Sequence, residues 1–237
     1  MGPGDGLSQI HAILSNVANL NVKVNKSMGF HVHVDVSGFN FRQLVKICQQ
    51  FVKYEAVMDT FMPPSRRTDS DESNRYFASN RAQVSSYARN ICRSANDALE
   101  DCQDLHSLVE AMNGTADGSG RYFKLNLQNL VTGRQPTIEF RQHSATFEYD
   151  KVRAWIRFCV WLVWNGARLR APSSFSATTA LPDQFQALFQ YVIKDRELRD
   201  YYEGRVEKHN HSPLEDEPCC DECAYDGAPI PKQARRI

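Results

Sequence analysis

The chain has no excess of charge of either sign: 28 Lys and Arg balance 28 Asp and Glu. That balance excludes binding to nucleic acid through a general basic field. It has no long hydrophobic run. Its longest apolar stretch, Phe158 to Trp164, sits between Arg157 and Arg168 and falls far short of the roughly 20 residues a membrane span needs. No basic segment followed by an apolar run opens the sequence, so no secretory signal is read. It has no cysteine framework either. The seven cysteines are odd in number and scattered, apart from three near the C-terminus. That usage suits reduced thiols in an intracellular protein, and a cytoplasmic location is expected. No internal repeat is visible. Neither a nucleic-acid nor a membrane partner is expected, and the oligomeric state is left open.

What is present is enough for one sizeable core: 237 residues, 42% of them hydrophobic. Residues 6–20 carry apolar side chains at helical spacing. So do residues 41–62, up to the stop at Pro63-Pro64. A polar loop follows from Ser65 to Arg75, then a mostly helical stretch over 81–112. Asn113-Gly114 and Gly118-Ser119-Gly120 break the chain. Two alternating segments, 121–127 and 137–143, predict paired strands. Residues 151–170 predict a buried helix, apolar nearly all round, and 183–202 a shorter one. From Glu203 the composition turns charged and poor in large apolar residues, so residues 204–237 are expected to be a disordered tail. The fold class is α+β, an antiparallel sheet with helices packed on one face.

The segment from Gly29 to Ser37 alternates polar and apolar. In a strand this puts Val32, Val34 and Val36 on one face and His31, His33 and Asp35 on the other. The later segments follow the same plan. One offers Tyr122, Lys124 and Asn126 on its polar face, the other Thr137, Glu139, Arg141 and His143. In one sheet, these side chains would converge. Imidazole and carboxylate suit a divalent cation, and Arg and Lys suit phosphate or carboxylate oxygens. Taken singly, each is more simply an ordinary exposed strand face. The conjunction of three apolar faces under three such polar faces favours a site.

In order along the chain, Gly29-Phe30-His31-Val32-His33-Val34-Asp35-Val36-Ser37, Pro-Pro-Ser-Arg-Arg at 63–67, Arg121 to Leu127, Thr137 to Thr146 and Trp155-Ile156-Arg157-Phe158 resemble the amidoligase family. That family is a distant relative of glutamine synthetase and glutamate–cysteine ligase, and the resemblance covers roughly residues 5–170. It implies a glutamine-synthetase-like catalytic fold and ATP-dependent joining of a carboxylate to an amine through an acyl phosphate, with Mg²⁺ or Mn²⁺ beside the phosphates. The substrates would be a small-molecule or peptide carboxylate and an amine. By the same resemblance His31 and Glu139 are metal ligands and His33 an ATP-phosphate contact. Arg141 and Lys124 are the catalytic residues, and Arg121, Arg66 and Arg67 lie along the nucleotide.

One departure weighs against full activity. Family members carry early strands with a Glu-x-Glu motif, whereas no glutamate precedes His31 here and Asp5 is the only acid. The domain, residues 1–203, is therefore expected to be N-terminally incomplete and its metal site poor. The alternatives are a non-catalytic remnant that binds a peptide or partner on the same face, or a metal-dependent enzyme that uses no nucleotide. In the tail, Cys220-x-x-Cys223 has zinc-ligand spacing. The second pair is lacking, and free thiols are the preferred reading.

Overall fold

The computed structural model describes residues 3–18, 20, 22–25, 28–68, 76–172 and 180–211. The Cys220-x-x-Cys223 spacing lies outside them. Among the described residues the element order is α1 (Pro3–Ala18), β1 (Val32–Asp35), α2 (Phe41–Thr60), α3 (Asn80–Asn90), α4 (Ala95–Glu100), α5 (Leu105–Asn113), β2 (Leu125–Asn126), α6 (Gln128–Thr132), β3 (Thr137–Phe140), α7 (Tyr149–Gly166), α8 (Leu181–Ala187) and α9 (Arg196–His211). A turn of π-helix, Leu188–Ile193, joins α8 to the last helix.

The three strands form one antiparallel sheet in the order β1-β3-β2. The paired strands predicted over 121–127 and 137–143 are therefore neighbours, and the His strand flanks the second of them. Register places His33 opposite Glu139, and Glu139 opposite Asn126, so these three lie in one row across the sheet. The opposite face carries Val32, Ile138, Phe140 and Leu125, all buried. Helices α2 and α7 cover it: the Phe140 ring meets Phe51 at 6.0 Å and Trp155 at 6.2 Å.

Helix α2 starts at a reciprocal cap. Asn40 accepts from the Gln43 N–H at 3.0 Å, and Gln43 accepts from the Asn40 N–H at 2.9 Å. It ends at Thr60, two residues before the expected stop, because Pro64 opens a 3₁₀ turn (Pro64–Arg66). The stretch expected to be mostly helical over 81–112 is three helices. The break after α3 is set by Cys92, which takes a left-handed backbone at φ 54°. Helix α7 is not apolar all round. Trp161 and Trp164 are partly exposed, and each finds a polar or charged neighbour. The Trp161 indole N–H donates to Asp195 at 3.2 Å, and the Arg168 guanidinium lies 3.5 Å from the Trp164 ring centre. At the far end, Lys194 (φ 56°) breaks the predicted 183–202 helix. Helix α9 then runs through His211, beyond the point where composition places the tail. Tyr202 and Arg205 on it are buried.

Candidate functional site

The polar face of the sheet is organised around one carboxylate. Glu139 sits in the middle strand with 6% of its surface exposed. Its Oε1 accepts from Arg141 Nη1 at 2.7 Å and from His31 Nδ1 at 2.9 Å, with His33 Nε2 at 3.6 Å. Its Oε2 accepts from Asn126 Nδ2 at 2.6 Å. Asn126 cannot turn the other way, because its Oδ1 already accepts from the Gln128 N–H at 2.9 Å. Burial pushes the Glu139 carboxyl up. Hydrogen bonds from His31 and Asn126 and the charge of Arg141 outweigh it and hold the group at about 2.

Each partner is itself fixed. His31 must carry its proton on Nδ1, since a carboxylate only accepts. The Nε2 end of its ring lies against Gly29, where a Cβ would come within 2.7 Å; glycine at 29 is what lets the ring lie there. His33 turns Nδ1 toward the Thr137 hydroxyl at 3.2 Å and the Asn129 amide at 3.5 Å. The Arg141 Nε–H is buried without a hydrogen-bond partner. Tyr122 is shared by two guanidinium groups, Arg121 at 5.1 Å and Arg141 at 5.8 Å from its ring centre. Arg121 also donates to the Tyr122 hydroxyl at 3.0 Å. Asp35 lies on the same face but accepts from the Ser37 N–H at 2.8 Å, closing the turn after β1.

The structure thus brings together His31, His33, Glu139, Arg141 and Arg121. It does not bring Lys124 to them. Lys124 is fully buried and turned toward α2, where Nζ meets Asp59 at 2.5 Å, Glu55 at 3.3 Å and the Thr68 hydroxyl. Gln142 joins the same carboxylate, Asp59, at 2.5 Å. The alternation read over 121–127 fails at Lys124 because regular β2 holds only Leu125 and Asn126. Arg66 is likewise buried, not part of a solvated loop. It donates to the Met28 carbonyl at 2.5 Å, and its guanidinium lies 5.0 Å from the Phe77 ring centre. Arg67 donates from Nε to the Met62 carbonyl at 2.9 Å. Arg66 ties the turn after α2 to the segment before β1, and the Arg67 bond closes that turn back onto Met62, just after α2. His143 also leaves the polar face. It is buried against Trp155, ring centres 5.5 Å apart, and burial holds its imidazole down to about 3, neutral at ordinary pH.

Sequence reasoning missed Asn129, Asp59, Thr68 and Gln142. For Asn129 the sequence carries no signal, since a single helical turn places it. For Asp59 there was one. Glu55 and Asp59 stand at i and i+4 on an amphipathic helix, a repulsive pair unless a cation lies between them.

The donor set decides how well a divalent cation fits. Glu139 is the one carboxylate at the centre, and both its oxygens already face donors, one of them the Arg141 guanidinium. His31 has one nitrogen on Glu139 and the other against Gly29. Among the described residues no group of three or more His, Cys, Asp or Glu is arranged to hold a metal ion. These residues do not form a divalent-cation site by themselves.

A small open antiparallel sheet, helices beneath it and a polar face that carries His31, His33, Glu139 and Arg141 define the architecture, an α+β protein. The family model described as “Putative amidoligase enzyme” matches residues 2–163, more than half of the chain, and the chain belongs to that family. The match spans all three strands and every residue of the Glu139 cluster. No curated protein and no solved structure matches the chain. No helix among the described residues is long and apolar enough to cross a membrane.

Proposed function

We propose that this protein is an ATP-dependent carboxylate–amine ligase with a glutamine-synthetase-like catalytic fold, and that the polar face around Glu139 is its reactive centre. The observation that carries this reading is the pairing of Arg141 with a buried, ionised Glu139 inside the segment matched by the amidoligase family.

In this reading a substrate carboxylate oxygen attacks the γ-phosphorus of ATP, and ADP leaves with the bridging oxygen. The amine nitrogen then attacks the acyl carbon of the resulting acyl phosphate. Phosphate departs with the carboxylate oxygen, and the amine loses a proton. Charge develops on the phosphoryl oxygens in the first step and on the leaving phosphate in the second. Arg141 and Arg121, both held against Tyr122, are the groups that stabilise it. His33 contacts the nucleotide phosphate, its ring held by Thr137 and Asn129. Lys124 acts from outside the centre, by fixing the segment that runs from Arg121 to Asn126.

Hydroxylamine tests this without knowledge of the natural amine, because it converts acyl phosphates to coloured hydroxamates. Purified chain, ATP and a panel of amino acids and small carboxylic acids should yield hydroxamate with at least one acid. Arg141→Ala should abolish the product while leaving the circular dichroism spectrum unchanged. ATP cleavage with no hydroxamate from any acid would remove the reading.

A further inference from the structure

We infer that the Glu139 cluster is an oxyanion site that works without a divalent cation of its own, and that Glu139 is the internal counter-ion that shapes it. The inference stands on the geometry of the cluster and not on the ligase reading. Three cationic or protonatable groups, His31, His33 and Arg141, gather around a single central carboxylate, and a fourth, Arg121, joins them through the Tyr122 ring it shares with Arg141. Both oxygens of that carboxylate already accept: Arg141 and His31 donate to Oε1 and Asn126 to Oε2, at 2.6–2.9 Å. A cation would have to displace the Arg141 guanidinium and the His31 N–H, and it would gain one carboxylate in return. A hard divalent ion asks for several oxygen ligands.

The donors left over suit an anion. Arg141 spends Nη1 on Glu139 and keeps the rest of its fork, including the Nε–H that is buried without a partner. A buried N–H that lacks an acceptor is costly, and an arriving oxygen would satisfy it. Arg121 also lies against Tyr122 and uses one nitrogen on the tyrosine hydroxyl. His33 is more than a third exposed at its side chain, so it can be approached from solvent. A guanidinium fork with a second guanidinium and an imidazole beside it matches the oxygens of phosphate or carboxylate. Glu139 then has a double effect. It holds Arg141 and His31 in place, and it neutralises part of the charge the anion would feel.

That double effect separates this inference from a metal site, because the two predict opposite outcomes for Glu139→Gln. The probe is inorganic phosphate, titrated into the full chain with EDTA present. The readout is the ring resonances of His31 and His33 in protein labelled at histidine. Phosphate should shift both rings in EDTA. Arg141→Ala should lose the shift, and Arg121→Ala should weaken it. Glu139→Gln should tighten phosphate by roughly three- to tenfold, the size expected when a competing charge is removed beside a guanidinium. Mn²⁺ alone, at stoichiometric concentration, should leave both rings unbroadened.

Acetate in place of phosphate tells the two sources of the oxyanion apart. A shift with phosphate alone assigns the phosphoryl group, and one with acetate alone assigns the carboxylate. The inference is overturned if Mn²⁺ alone broadens both rings, if phosphate shifts them only when Mn²⁺ is present, if Glu139→Gln loses binding, or if neither anion moves them. Should Arg141→Ala fail to fold, the Glu139→Gln and Mn²⁺ results decide. Hydroxamate formation with Mn²⁺-broadened rings would remove this inference and leave the ligase standing; phosphate binding in EDTA with no hydroxamate would do the reverse.

Discussion

Two residues on β3 and its continuation, Glu139 and His143, share a parity in the sequence and differ in fate. Glu139 is buried and charged, because three donors, one of them a guanidinium, offset the loss of water. His143 is buried and neutral. Its Nδ1 meets the carbonyl of Ser144 at 2.7 Å, and its ring lies on Trp155. This difference has a consequence for pH. The folded His143 resists protonation down to about 3, while the unfolded chain takes a proton near 6.5. Its contribution is fully present above 6.5 and is lost progressively as pH falls from there toward 3, because the unfolded state binds the extra proton throughout that window. Glu139 acts lower. Its folded value of about 2 against 4.5 unfolded gives stability that is present above 4.5 and lost as pH falls toward 2. His143→Phe keeps a ring against Trp155 and removes the titration. Urea melts of this variant should show stability changing little between pH 6.5 and 5, where the parent loses it steadily. An unchanged slope would place the effect on another group.

At the scale of elements, the two-residue strand β2 owes its place to polar side chains. The backbone of β2 would leave edge groups unpaired, and asparagines from α3 and α5 complete them. Asn80 accepts from the Leu125 N–H at 2.8 Å, and Asn113 accepts from the Leu127 N–H at 2.8 Å. The sequence made the alternation in β1 and β3 plain, because Val32, Ile138 and Phe140 repeat at period two against a helical layer. It hid the path of Lys124, because a two-residue strand holds too few residues to enforce a face. Tertiary pairing with Glu55 and Asp59 then draws the lysine to α2. The centre was legible for His31, His33, Glu139 and Arg141, which alternate on strands, and illegible for Asn129 and Gln142, whose positions depend on turns. The buried Lys124 also links the β2 segment to α2. Lys124→Met leaves Glu55, 2% exposed, and Asp59 without their cation. Breaking such a buried pair from one side costs about 3–5 kcal/mol. Chemical denaturation should read that loss, and Glu55→Gln in the same chain should recover part of it.

On the scale of the whole molecule, the family match ends inside α7, yet the core does not. Tyr202 of α9 packs on Phe61 with ring centres 4.4 Å apart and on Phe158 at 5.6 Å. Arg157 of α7 pairs with Asp195 at 2.5 Å and with Glu197 at 2.7 Å, which fixes the start of α9 against the matched segment. The C-terminal helices therefore complete the hydrophobic layer that holds α2 and α7 under the sheet. Composition alone places the tail too early, because charged neighbours mask the buried positions 205 and 209 on that helix. The Tyr202 hydroxyl is buried without a hydrogen-bond partner. Tyr202→Phe should thus raise stability by about 1 kcal/mol, since it removes an unsatisfied group and keeps the ring. Tyr202→Ala should lower it by about 3–5 kcal/mol. Loss of stability in the phenylalanine variant would mean that the hydroxyl has a partner in solution.

The central claim is that this face joins a carboxylate to an amine by way of an acyl phosphate, and oxygen labelling tests it most directly. The carboxylic acid that yields hydroxamate is prepared with ¹⁸O in its carboxylate and turned over with ATP. The released phosphate is then read by ³¹P NMR. The account predicts one ¹⁸O in each phosphate, carried from the carboxylate, with ADP as the nucleotide product. Unlabelled phosphate, or AMP with pyrophosphate in place of ADP, would contradict it.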